Sequence, residues 1–281
     1  MTFLTEPVRI HGLTREELME VEPAVLRAII HERTHHTIEV NIYRIMAGKR
    51  GLPSEFGKTA ELLLEIWKER GLPTDRPDIE WCLRYIDYAR ILREGGTPEF
   101  GEGLPEPFTD EEMATVEKLI YGRRSFRQFK NAPVPDELIH KILKASLWAP
   151  QGCNVGTTRF IVLRDPDEQK LVSSDIPIEN CVMIVVCQDM RLYKALRFNE
   201  YVPQNIYYDA AAAADHIVLM AHALGLGACW LTHGEDSQKR LREHFGLHDD
   251  LVSRNHIIVG WADEETIKSQ RISLNEAIIN K

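Results

Sequence analysis

Between Glu94 and Pro107 the chain reads Glu-Gly-Gly-Thr-Pro-Glu-Phe-Gly-Glu-Gly-Leu-Pro-Glu-Pro, the densest glycine and proline run in its 281 residues. Proline lacks the amide hydrogen that a helix or ladder needs, and glycine loses the most freedom on ordering, so no regular element runs through this stretch. It divides the chain into residues 1–105 and 106–281. Before it, apolar residues recur at helical spacing: Leu18, Val21, Val25, Leu26, Ile29 and Ile30, then Leu62, Leu63, Ile66 and Trp67, then Ile79, Leu83, Ile86 and Ile91. Turns at Gly51-Leu52-Pro53 and Gly71-Leu72-Pro73 separate these helices. The first region is expected to be all-helical, as a lid, an arm or a small domain.

The second region obeys different periods. Thr109-Asp110-Glu111-Glu112 has capping-box spacing and opens a helix carrying Met113, Val116, Leu119 and Ile120, and another helix starts near Pro135. β-rich runs follow at Arg159 to Leu163, Cys181 to Cys187 and His256 to Gly260, with a long helix at 206–224 and another near 236–245 between them. This irregular alternation fits an α+β layer fold better than a regular βαβ array. There is no internal repeat.

Charge narrows the partners. The formal net charge of −9 argues against nucleic acid or an anionic membrane as a target, so any anion site must be local. The stretch from Met1 to Arg9 carries Glu6 and has no basic segment followed by an apolar one, so it does not read as a secretory signal, and a cytoplasmic protein is expected. The five cysteines, Cys82, Cys153, Cys181, Cys187 and Cys229, are odd in number, lack CxxC spacing and sit mostly among apolar neighbours. They read as reduced structural thiols, not a disulfide frame or a zinc site. The apolar run from Ala210 to Leu231 is interrupted by Asp215, His216 and His222, so it reads as a buried helix leading into a strand and not as a membrane span.

Two motifs carry chemistry. Arg123, Arg124, Arg127 and Lys130 place four cations within eight residues of an acidic chain, with Ser125 among them. Guanidinium forks plus a hydroxyl match a phosphate monoester; the plainer alternative is a helix C-terminus whose dipole favours cations. The second motif, His31-Glu32-Arg33-Thr34-His35, matches HExxH, which on a helix sets two imidazoles and a carboxylate on one face as zinc hydrolases require. His11 or His36 offers a third ligand, but neither stands at the usual downstream spacing, and no metal is expected. A polar helix face of His31, Glu32, His35, His36 and Arg44, able to orient a substrate, is the preferred reading. Gly225-Leu226-Gly227 precedes a strand instead of opening a helix, which removes the dinucleotide-fold reading. Cys229 reads as a packed thiol, and His216 and His222 as core or interface histidines.

The segment Arg123-Arg124-Ser125-Phe126-Arg127-Gln128-Phe129, the Pro133-Val134-Pro135 helix start, and Ala149-Pro150-Gln151-Gly152-Cys153-Asn154 together resemble the nitroreductase family. The similarity continues through Asp209 to Ala213, Leu224 to Trp230 and Ile258 to Ala262, and spans about residues 111–278. The resemblance implies a three-layer fold with a central, mostly antiparallel sheet flanked by helices, a homodimer, and one FMN per site. It assigns Arg123, Arg124, Ser125 and Arg127, with Arg271 and Lys268, to the FMN phosphate and ribityl chain. It sets Pro150, Gln151 and Asn154 along the flavin edge. Trp230, Leu231 and Thr232 would pass beside the ring, with a backbone N–H at Leu231 or Thr232 donating toward its reactive nitrogen.

The function implied is an oxidoreductase that takes hydride or electrons from NADH or NADPH and passes them to a small conjugated or aromatic substrate, for which His35, Arg44 and Tyr207 are candidate contacts. Alternatives are a flavin-dependent dehalogenase or dehydrogenase on the same scaffold, or a non-catalytic flavin-binding sensor module. Gln151 stands where the family usually has serine, and Gly156-Thr157-Thr158 replaces its Gln-Pro-Trp-like stretch, which puts nitroaromatic reduction in question. Tyr201, Tyr207 and Tyr208 either replace part of the substrate cover or lie at the dimer surface.

Overall fold

The computed structural model describes residues 9–101, 103–173 and 179–279. The N-terminal stretch discussed above therefore lies, up to residue 8, outside the described residues, as does part of the segment from Leu163 to Cys181. The chain packs as two compact units. One comprises the described residues up to Pro105 with Pro150–Thr157 and Gln188–Asp209; the other comprises Glu106–Ala149, Thr158–Cys187 and the described residues from Ala210. The first cut falls in the glycine- and proline-rich segment. The sequence division into two continuous stretches differs from these units in that two later segments join the first.

The first unit is helical. It contains α1 (Arg15–Glu20), α2 (Pro23–Arg33), a π-helical turn (Thr34–Glu39), α3 (Val40–Met46), α4 (Lys58–Glu69) and α5 (Pro77–Arg93). Thr14 closes a full capping box with Glu17 at the start of α1, and prolines occupy the first turns of α2 and α5, where a missing amide costs nothing. The helical spacing read from the sequence becomes a core of Leu26, Ile29, Ile30, Leu63, Ile66, Trp67 and Ile79, all essentially buried. At the tip of α4, Gly57 has φ +79° and stands so close to Ala89 that a Cβ would lie 2.6 Å from the alanine's.

The second unit holds α6 (Asp110–Gly122), α7 (Asp136–Leu147), β1 (Thr158–Leu163) and α8 (Pro166–Gln169). After β2 (Val182–Asp189) the chain gives α9 (Met190–Ala195) and α10 (Phe198–Tyr201) to the first unit. It then follows α11 (Asn205–Ala223), β3 (Gly227–Thr232), α12 (Glu235–Phe245), β4 (Leu251–Gly260) and α13 (Leu274–Ala277). The four strands lie in the order β1-β2-β4-β3, with β3 antiparallel to β4 and Gly227 opposite Gly260.

Alternation along β2 builds the layers. Val182, Ile184 and Val186 face one cluster with Ile139 and Ile142 of α7 and Ala214, Ile217 and Ala221 of α11. Met183, Val185 and Cys187 face another with Leu241 of α12, Phe129 and Val172. A strand buried on both faces has no polar alternation, which is why 181–187 reads as a continuous apolar run. Helix, sheet and helix are thus the three layers. α6 behaves differently, burying none of its residues and leaving Met113, Ile120 and Tyr121 exposed.

Candidate functional site

In the second unit the Arg123–Phe129 segment runs along the open side of β3. Ser125 forms a parallel bridge with Ala228, and the Phe126 N–H donates to the Ala228 carbonyl at 3.1 Å. Phe129 bridges Ala262, and the Lys130 N–H donates to the Trp261 carbonyl at 2.8 Å. The facing glycines allow this. A Cβ on Gly227 would sit 2.9 Å from Phe126, and one on Gly260 would sit 2.7 Å from the Phe129 ring. The two phenylalanines therefore clamp the segment over the β3–β4 end.

The chain after β4 returns to the same place. The Arg124 guanidinium donates to the Thr266 carbonyl, and Glu264 accepts from the backbone amides of Arg127 and Gln128, the latter at 3.1 Å. The guanidinium groups of Arg123 and Arg127 make no ion pair among the described residues, and the Thr266 hydroxyl is buried without a partner. Lys268 and Arg271 are exposed on the following strand-less stretch, Arg271 donating only to the Gln270 carbonyl at 3.1 Å. Cys229 is buried, and its thiol is held above its ordinary pKa by that burial, with Arg127, Ser125 and Arg123 pulling the other way.

β3 is the terminal strand of the sheet, so half of its amides face away from β4. A strand residue turns its N–H and C=O to the same side, alternately. Ala228 uses its carbonyl on the free edge, while the His233 N–H donates to the Arg254 carbonyl of β4 at 3.2 Å. Trp230 and Thr232 thus present their amides to the free edge and Leu231 presents its own to β4. Of the two strand residues assigned by sequence, Thr232 has the amide that is available to a ligand.

The first unit carries the Pro150–Thr157 turn. Cys153 and Asn154 both have φ +52°, a left-handed conformation that costs about 1–2 kcal/mol for each non-glycine residue. Three bonds hold it. The Gly152 N–H donates to Asp209 Oδ1 at 3.0 Å, Tyr193 donates to Asp209 Oδ2, and His31 donates from Nδ1 to the Asn154 carbonyl at 2.7 Å. Burial raises the Asp209 pKa, against the hydrogen bonds from Tyr193 and Gly152, and burial followed by Asp209 raises that of Tyr193. A Cβ at position 152 would lie 3.0 Å from the Asn205 amide, so glycine lets the turn approach that side chain without displacing it. The Gln151 Oε1 is buried without a partner, an acceptor presented by the same turn.

The HExxH motif departs from the expected polar face. His31 and Glu32 are buried, at 4% and 1% exposure. His31 donates to Asp78 at 3.1 Å from Nε2 as well as to Asn154 from Nδ1, so neither nitrogen is open to a metal. Glu32 accepts from His11 at 2.7 Å, from Arg33, and from His36 at 2.6 Å, partners that outweigh burial and hold its carboxyl far below the usual range. His35 pairs with Glu39 at 2.7 Å. The buried groups of this face satisfy one another, while His36 stays exposed. Arg44 and Tyr207 are exposed, and no hydrogen bond or ion pair joins His35, Arg44 and Tyr207 among the described residues.

Sequence reasoning missed Asp209, Tyr193 and Asp78, whose partners lie 16 to 57 residues away, and it grouped Cys153 with the packed thiols. All five cysteines are free, but Cys153 alone is not buried, and its Sγ lies 3.3 Å from His36 Nε2.

The second unit is thus a three-layer α+β unit with a guanidinium cluster beside an exposed strand edge. The nitroreductase family model matches residues 120–180 and 169–261, and the chain belongs to that family. A protein of Archaeoglobus fulgidus bearing the name NADH dehydrogenase/NAD(P)H nitroreductase is 34% identical over 156 residues, covering 53% of this chain and 86% of its own. An NADH dehydrogenase of Thermus thermophilus is 46% identical over 189 residues, covering 56% of this chain and 91% of its own. A solved structure titled as a nitroreductase in complex with FMN, from Desulfovibrio desulfuricans, is 31% identical with a TM-score of 0.51, covering 59% of this chain and 96% of that one. No helix among the described residues is long and apolar enough to cross a membrane.

Proposed function

We propose that the protein is an FMN-dependent oxidoreductase that takes hydride or electrons from NADH or NADPH and passes them to a small conjugated or aromatic substrate. The observation that carries this reading is the set of guanidinium groups at Arg123, Arg124 and Arg127, beside the β3 edge and without an ion pair among the described residues, in a chain of net charge −9. The residues fit the group. In the second unit the cations and the orphaned Thr266 hydroxyl suit a phosphate and its ribityl chain; in the first, the buried Gln151 Oε1 suits a donor on a flavin edge.

When bound, FMN supplies the hydride chemistry. Arg123, Arg124, Ser125 and Arg127 would hold its phosphate end, joined by Lys268 and Arg271. Pro150, Gln151 and Asn154 would meet its edge. The Thr232 N–H, on a strand that needs no rearrangement, would donate a hydrogen bond that is available throughout the reaction. The left-handed turn at Cys153 and Asn154 holds its residues in place before a ligand arrives. Exposed Ile120, Tyr121, Leu147 and Trp148 on the second unit favour a homodimer, and the five free thiols favour a reducing compartment such as the cytoplasm.

The test is flavin titration of the full chain and its Arg124→Ala variant, followed by mixing with NADH or NADPH. The wild type is expected to bind FMN, to be reduced by a nicotinamide and to be reoxidised by a quinone or nitroaromatic; Arg124→Ala is expected to bind about 1.5–3 kcal/mol more weakly. Failure of the wild type to bind FMN overturns the reading. A bound flavin that no nicotinamide reduces favours the sensor module instead.

A further inference from the structure

Three side chains able to ligate a metal come together in the first unit, two of them adjacent in sequence and the third more than a hundred residues away. One donor atom from each of His35, His36 and Cys153 lies within 4.8 Å of the other two, and the thiol of Cys153 is 3.3 Å from Nε2 of His36. A tetrahedral zinc ion with bonds of about 2.0–2.1 Å to nitrogen and 2.3 Å to sulfur spaces its ligands about 3.3–3.6 Å apart. The His36–Cys153 pair already has that spacing. The third donor, within 4.8 Å of the other two, needs to close by at most about 1.2–1.5 Å to reach it.

The histidines are oriented as metal ligands are. His36 engages Glu32 through Nδ1 at 2.6 Å, and His35 engages Glu39 through Nδ1 at 2.7 Å, so each carboxylate takes one nitrogen and leaves Nε2 for another partner. A carboxylate on the far nitrogen is the outer-shell arrangement that fixes the tautomer and aim of a ligating imidazole. Glu32 is itself buried and is anchored by His11 and Arg33, which makes this support rigid.

Backbone geometry serves the same end. His35 and His36 stand on the π-helical turn Thr34–Glu39, a wide turn whose displaced His36 and Thr37 carbonyls are satisfied by Asn41 Nδ2 at 3.0 and 3.3 Å. Such turns recur at functional sites because they re-aim side chains that an α-helix would spread. Cys153 is held at φ +52° by the bonds to Asp209 and His31 described above. Two cavities of this unit reach His36, one lined by Thr37, Asn41 and Arg50 and one by His11, Glu32 and Arg197, so an ion has a path from solvent.

We propose that His35, His36 and Cys153 form a binding site for a zinc-class divalent ion, with a fourth position open to water, and that the ion ties the Gly152–Asn154 turn to the π-helical turn. This is not the HExxH arrangement, since His31 has no nitrogen to give. It does not depend on flavin binding.

The experiment loads the chelator-treated full chain with zinc and measures uptake by calorimetry and ligand type by X-ray absorption at the zinc edge. One zinc per chain, with one sulfur and two imidazole scatterers, is expected. Zinc is also expected to slow alkylation of Cys153 by iodoacetamide. Cys153→Ser and His36→Asn, each confirmed folded by circular dichroism, are expected to weaken binding more than Glu39→Gln, for which about a tenfold loss is expected. If a variant does not fold, the wild-type edge spectrum and alkylation rate decide alone. Substoichiometric uptake, a spectrum with nitrogen and oxygen only, or unchanged alkylation would overturn the proposal.

Discussion

His31 in the first unit and His256 in the second are both buried, at 4% and 1% exposure, yet they settle in opposite charge states. Burial is the largest influence on each and opposes charge. For His31 it is outweighed by the hydrogen bond to Asp78, helped by Cys82 and the Asn154 carbonyl, and the pKa is pushed up to about 10. Both His31 nitrogens face acceptors, as an imidazolium requires. His256 meets His233 instead, with the two Nδ1 atoms 3.2 Å apart, and no carboxylate among the described residues is bonded to either ring. Burial brings His256 down to about 3, with His233 adding to the effect, and His233 to about 4, with Arg254 adding to it. One carboxylate decides whether a buried histidine carries a proton.

Removing that carboxylate is the strongest way to break the comparison. Asp78→Asn leaves a buried imidazolium without its counter-charge, a change that costs about 3–5 kcal/mol in a dry pair. The Asp78 side chain is 35% exposed, so solvent screening reduces the expected loss to about 2 kcal/mol at pH 7. The wild type should also lose stability on the alkaline side. A folded pKa raised above the ordinary 6.5 gives stability that is complete below pH 6.5 and is lost as pH rises through about 10. Urea midpoints from pH 7 to 9.5 measure both effects. An alkaline slope that is the same in Asp78→Asn would show that another group holds the charge.

The acid limb tests the other half. Folded pKa values depressed to about 4 and 3 give stability that is present above pH 6.5 and is lost as pH falls, because the unfolded chain takes up protons that the native pair refuses. One imidazole accounts for about 2 kcal/mol between pH 6.5 and 5. That slope should shrink by about half or more in His256→Asn, which leaves His31 untouched. Equal slopes in wild type and variant would mean that the pair is already protonated in the native state.

Neither environment was legible in the sequence, although much of the fold was. The Arg159, Cys181 and long-helix readings became β1, β2 and α11 within a residue or two, because continuous apolar runs bounded by turn residues have few other solutions. β4 begins at Leu251, five residues before the expected start at His256. Ser253, Arg254 and Asn255 are polar and precede the apolar run, but Gln238 accepts from the Ser253 N–H at 3.2 Å and Asn255 donates to the Ala210 carbonyl at 3.3 Å, and these partners carry polar residues into a strand. The arginine cluster was visible because its residues are adjacent. Cys153 was not, since its place beside His36 depends on a contact 117 residues long, and no local pattern separates it from the four packed thiols. His36 was visible as a spare ligand beside HExxH, but not which histidine it would join.

The smallest expected effect concerns which proton the neutral pair shares. His233 places Nε2 at 2.9 Å from Ser253 Oγ and Nδ1 at 3.2 Å from His256 Nδ1, while His256 Nε2 is buried without a partner. Two neutral arrangements are possible. If His233 donated to His256 from Nδ1, His256 would carry its own proton on Nε2, a buried donor with nothing to accept it. If His256 donates from Nδ1, its orphan is a bare lone pair, and His233 donates from Nε2 to Ser253. A buried unpaired acceptor is tolerated better than a buried unpaired N–H, so the second arrangement is expected. Ser253→Ala then removes the acceptor of the His233 N–H and should cost about 1 kcal/mol, with the acid slope retained. Nitrogen chemical shifts of the two rings check the assignment directly. His256 should be the Nδ1–H tautomer and His233 the Nε2–H tautomer, and the reverse assignment would place the unpaired donor where this packing has no group to receive it.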